Sequence, residues 1–152
     1  MKRTIVLPAA ALATALALPL ASFVAPQEAG EEQAEEYYLE DEMLNLEDHL
    51  GKLRRAIRDE SKVAECLTAV AGMQDAVMKC KLLTPPRAAD LPEDKRAAYV
   101  ADYRKMLIGL LQDQLALEAA LLDGDFDTAK ELFKKIRAME ETGHERFMGE
   151  EG

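Results

Sequence analysis

From residue 39 onward the apolar residues recur at helical spacing. Leu39, Met43, Leu46, Leu50, Leu53 and Ile57 step by four, three, four, three and four. That is one continuous stripe and predicts a first helix over about 36–59. Ser61 is placed to cap a second helix running to about Leu83, with Cys66, Val70, Met73, Val77 and Cys80 on its stripe. Thr84-Pro85-Pro86 stops it, because proline cannot continue the hydrogen-bond ladder. Asp90 and Glu93 stand at capping-box spacing and predict a third helix to about Asp123. Its core side carries Tyr99, Tyr103, Met106, Leu107, Leu110, Leu111 and Leu117, and Gly124 ends it. Asp125 can cap a fourth helix to about Gly149, with Phe126, Ala129, Phe133, Ile136 and Phe147 as apolar positions. Four helices on short connections predict an all-α fold: a four-helix up-down-up-down antiparallel bundle over 37–149.

Two segments precede this pattern. Lys2 and Arg3, the Ala/Leu-rich run Ile5 to Leu20, and small residues at Ala21, Ser22 and Ala25 read as a secretory signal over 1–25. The apolar run is short for a membrane span and contains two prolines. Residues 26–36 are acidic and read as a linker. The expected location is therefore the periplasm, with no membrane attachment once the signal is cleaved.

Composition narrows the partners. The 152 residues carry a formal charge of −10, and losing Lys2 and Arg3 with the signal makes it −12. Nucleic acid is excluded as a partner, since its binders need a basic footprint. A cationic docking partner is compatible with this charge. Only 5% of residues are aromatic and none is Trp, which disfavours a β-sandwich or barrel. Cys66 and Cys80 lie on one predicted helix about 21 Å apart, whereas a disulfide needs Cα atoms within about 7 Å. They are expected to be two small buried hydrophobes.

Met43 and His144 are the residues with candidate chemistry. Met43 lies near the start of the first helix and His144 near the end of the fourth, so an antiparallel bundle brings them to the same mouth. Both are on apolar stripes, His144 in line with Phe133, Ile136, Glu140 and Phe147. A thioether and an imidazole facing each other across an apolar gap are the axial ligands of a six-coordinate haem. Singly, each has a plain packing explanation: a gap-filling core methionine, and a cation by a helix C-terminus. The other histidine, His49, is expected to face water. Glu141-Thr142-Gly143-His144 also fits the Glu-x-x-His pattern of di-iron bundles, but no second such motif accompanies it. There is no paired nucleophile and base and no phosphate loop, so an enzyme is not expected.

The chain resembles the cytochrome b562 family over about 39–148. Leu39-Glu40-Asp41-Glu42-Met43 followed by Leu46 and Leu50 looks like that family's opening helix. Val63 to Lys81 with Thr84-Pro85-Pro86 resembles its second helix and turn. Leu122-Asp123-Gly124 resembles the turn before its last helix, and Ile136 through Phe147 its closing helix with the histidine. The resemblance implies one non-covalent haem b per chain, held by Met43 and His144, in a monomeric electron carrier whose redox partner is not specified. It implies that Met73 is a pocket contact. The family's arginines one turn either side of the histidine are replaced by Glu140 and Met148, which leaves Arg137 and Arg146 as cations for the haem propionates. An acid beside propionates repels them, so the alternative expectation is a haem-free bundle serving as a binding or scaffold module.

Overall fold

The computed structural model describes residues 38–148, and the expected signal and linker lie outside them. Four α-helices are present among the described residues: α1 Leu39–Ala56, α2 Val63–Cys80, α3 Glu93–Leu122 and α4 Phe126–Gly143. Short 3-10 turns at Glu60–Lys62 and Pro86–Ala88 join the first three, and a π-helical turn at His144–Met148 follows α4. The described fold is all-helical, and none of these helices is long and apolar enough to cross a membrane.

Local chemistry sets the helix ends, with three departures from expectation. Ser61 does not cap α2; Asp59 instead accepts from the Ser61 amide at 3.0 Å and its hydroxyl at 2.7 Å, organising the 3-10 turn. Asp90 and Glu93 form no capping box. Pro92 is the N-cap of α3 without a side-chain cap bond, and Arg96 donates to the carbonyls of Leu91 and Ala89 to tie the turn down. The fourth α-helix stops at Gly143 rather than near Gly149 because the chain widens into the π turn. The α3–α4 corner is as expected. Gly124 takes φ +73°, a left-handed conformation that favours glycine. Asp125 accepts from the Thr128 amide at 3.0 Å.

The stripes meet in one core. Leu46, Leu50 and Leu53 of α1, Val70, Met73 and Val77 of α2, Leu107, Leu117 and Leu121 of α3, and Phe133 and Ile136 of α4 are all buried. Cys66 and Cys80 are free and buried, and burial pushes the Cys80 thiol up to about 12, so it stays protonated. At the start of α1 the stripe splits. Glu42, four residues before Leu46, is buried beside Lys79 of α2, with Nζ 3.6 Å away. Met43, three residues before Leu46, takes the other flank and is half-buried.

His49 does not face water as expected. It is half-buried, with its imidazole lying where a Cβ on Gly72 of α2 would stand. The glycine is what lets the ring approach the α2 backbone.

This contact predicts an effect that depends on background. Gly72→Ala should gain about 1 kcal/mol of helix propensity but lose about 1–3 kcal/mol to overpacking against the ring. Denaturant melts should show Gly72→Ala destabilising the parent chain and stabilising the His49→Ala chain. Stabilisation in both would remove the contact as a packing constraint.

Candidate functional site: an apolar cavity with a methionine and a histidine

Three helices and the π turn enclose a cavity. Met43 and Leu46 come from α1, and Tyr103, Met106, Leu107 and Leu110 from α3. Met139, Glu140 and Gly143 come from α4, and His144 and Phe147 from the π turn. The lining is almost wholly apolar. The space open to the centre of a water-sized body is about 30 Å³, within a partly open hollow of about 450 Å³ that includes solvent at the mouth.

The π turn decides what the end of α4 presents. Phe147 is buried and seats its ring against two tyrosines of α3, with centroids 5.2 Å from Tyr99 and 5.3 Å from Tyr103. The Tyr103 contact is edge-on, the favoured aromatic geometry. Backbone carbonyls of the turn are held from outside. Tyr99 Oη donates to the Arg146 carbonyl at 2.9 Å, and Arg87 donates to the Glu145 carbonyl at 3.4 Å. The Arg146 side chain bonds Asp102 at 2.8 Å and lies 5.0 Å over the Phe147 ring. With the turn pinned at three points, His144 is held at the cavity rim, where its side chain lines the mouth while remaining exposed.

The site residues expected from the sequence separate into groups. Met43 and His144, from opposite ends of the helical region, line the same cavity. Met73 is fully buried in the core and is not part of the lining. Arg137 lies in the groove between α1 and α4 that begins beside Glu140. Arg146 is engaged with Asp102 and Phe147 on the α3 side and does not line the cavity.

Sequence reasoning missed Arg54, which shares the α1–α4 groove with Arg137, Glu47 and Glu140. The signal was present. Arg54 is eleven residues after Met43, which is three helical turns and therefore the same face. It also missed the cavity-lining roles of Met106, which reads on its stripe as an ordinary core position, and of Met139, which it does not single out.

Glu140 sets the electrostatics of the rim. Its carboxyl is raised above the ordinary 4.5, chiefly by burial; His144 and Arg137 oppose the rise, and Glu47 and Glu141 add to it. Above 4.5 the folded chain therefore holds this proton more tightly than the unfolded chain does. Stability contributed by the protonated form is lost as pH rises through the raised value. Glu140→Gln should be the more stable chain at neutral pH, and the gap should close on acidification below the ordinary carboxylate range. Thermal melts across pH check this; a gap independent of pH would mean the charge is not the cause. Comparison of the chain with known protein families and with curated proteins finds no match.

Proposed function

We propose that this chain is an exported b-type cytochrome, a one-electron carrier of the periplasm built on a cytochrome b562-like four-helix bundle. The observation that carries the reading is that Met43 and His144 line one apolar cavity. Contacts between consecutive helices support the up-down-up-down topology. Glu42 meets Lys79 while His49 meets Gly72, and Asp102 meets Arg146 while Asp113 meets Lys135. In each pair the contacts climb one helix as they descend the next, the pattern of antiparallel neighbours.

The donor set fits haem iron: one neutral thioether and one imidazole, approaching from α1 and from the end of α4. Bound haem would supply the one-electron iron couple. The protein's part is to hold and shield the group. Leu46, Leu107, Leu110 and Phe147 exclude water from the slot. Met43 would be the thioether ligand, a donor that favours reduced iron and raises the potential. Arg54 and Arg137 are the cations of the neighbouring α1–α4 groove and would be the nearest groove cations for the carboxylates of a bound haem, and Glu140 would oppose them. The open space is smaller than a macrocycle, so loading requires the walls to part. Two of the wall residues, Met106 and Met139, are flexible enough to move aside. No residue is required as acid, base or nucleophile, so the reading is a carrier and not an enzyme. We further propose a monomer that docks through its acidic surface to a cationic redox partner.

The narrow cavity and Glu140 favour one alternative, a haem-free bundle that serves as a binding or scaffold module. Titration with haem separates the two. The carrier reading expects one equivalent bound with a low-spin six-coordinate spectrum, and the absence of a Soret shift at micromolar haem would select the alternative. Met43→Ala should turn the spectrum high-spin or lower the potential. An unchanged spectrum and potential would remove Met43 as a ligand.

A further inference from the structure

We infer that the haem-free protein binds a single soft monovalent metal ion, Cu(I), in this small apolar cavity through the thioethers of Met43, Met106 and Met139 and the imidazole of His144. This goes beyond the haem reading and does not rest on it. The haem reading uses two of these four donors, and the other two are free of it.

The chain has seven methionines in 152 residues. Three of them line one small cavity together with one of the two histidines. The donors come from α1, α3, α4 and the π turn, so tertiary packing rather than a local repeat brings them together.

Two helical glycines make room for them. A Cβ on Gly143 would stand 3.1 Å from Met106 Cε and 3.5 Å from its Sδ. A Cβ on Gly109 would stand 3.3 Å from Met139 Cε. The ends of both methionines thus pack against bare backbone, and a side chain at either glycine would crowd the thioether. Glycine inside a helix is less stable than alanine, so these two positions trade stability for space.

The size and chemistry of the cavity select the ion. The space of about 30 Å³ open to the centre of a water-sized body has room for about one or two such bodies, which suits a bare ion. Among the described residues no three His, Cys, Asp or Glu side chains group together to hold a metal. A hard divalent ion would find neither enough oxygen ligands nor enough negative charge here. Thioethers are soft and neutral, and soft sulfur donors select Cu(I). A single positive charge in an apolar cavity needs only one counter-charge, and the half-buried Glu140 on the lining supplies it.

The test is an anaerobic titration of the haem-free chain with Cu(I) against a chromophoric Cu(I) chelator. The result expected is one equivalent bound. Met106→Leu and Met139→Leu should each weaken binding by about tenfold or more, while Met73→Leu, a core methionine outside the lining, should not. Replacing Cys66 and Cys80 by Ala should leave the affinity in place, and loss of binding in that variant would assign the ion to the thiols and overturn the proposal. Unchanged affinity in both lining-methionine variants would also overturn it, as would tighter binding of Zn(II) than of Cu(I). Ag(I) added to the unsubstituted chain gives a readout independent of variant folding. The methyl resonances of Met43, Met106 and Met139 should shift and that of Met73 should not; the reverse pattern would sink the site. Haem titration of Met106→Leu and Met139→Leu is read separately. A six-coordinate spectrum there with Cu(I) binding intact would defeat this proposal and leave the haem reading standing.

Discussion

The seating of Phe147 between Tyr99 and Tyr103 is the contact on which the site depends. It brings the chain beyond α4 back against α3, and the π turn supplies the extra residue that a regular helix would not. Truncating a buried phenylalanine costs about 3–5 kcal/mol, much more than an exposed ion pair such as Arg146–Asp102, worth about 0–1 kcal/mol. Apolar packing therefore holds the turn, and the polar contacts around it set its orientation. The His144 side chain is exposed, and its backbone N–H bonds only the α4 carbonyls of Glu140 and Glu141, so its place on the rim follows the course of the turn that Phe147 anchors.

The opposite wall of the cavity depends on how the start of α1 divides its two flanks. Glu42 is buried on the α2 side, where Lys79 and the Asn45 amide face it. A buried carboxylate is tolerated only with such partners. Its commitment to α2 leaves Met43 on the flank that borders the cavity. The rim charges then follow from helical periodicity, with Met43, Glu47 and Arg54 on one face of α1 opposite Arg137 and Glu140 of α4. Acid and base alternate along this groove, so an incoming anion meets attraction and repulsion within one turn of each helix.

Much of this was legible in the sequence. The helices follow from the four-three spacing of apolar residues and from strong punctuation at Pro85-Pro86 and Gly124. The pairing of Met43 with His144 follows from their places near opposite ends of that helical region. Four features were not legible, for a common reason. The half-burial of His49, the caps at Asp59 and Pro92, the π turn at His144–Met148 and the cavity roles of Met106 and Met139 all depend on what a neighbouring helix offers. His49 lies off its own stripe and is half-buried because α2 has a glycine opposite it. Periodicity reads one helix at a time and cannot see that vacancy. Met73 is a different case. The resemblance implies a pocket contact for it, and the structure describes it as a fully buried core residue outside the lining of the present cavity.

The methionines connect the small cavity with the larger slot that a macrocycle would need. A wall of leucine or valine has few rotamers, and opening it would break close packing outright. An unbranched thioether chain has three rotatable bonds and fills irregular gaps without a unique fit. Met43, Met106 and Met139 come from three different helices, so the adaptable side chains are spread around the cavity wall. The glycines at 109 and 143 face two of these side chains and give their ends room. A cavity walled this way combines adaptable side chains with soft donor atoms.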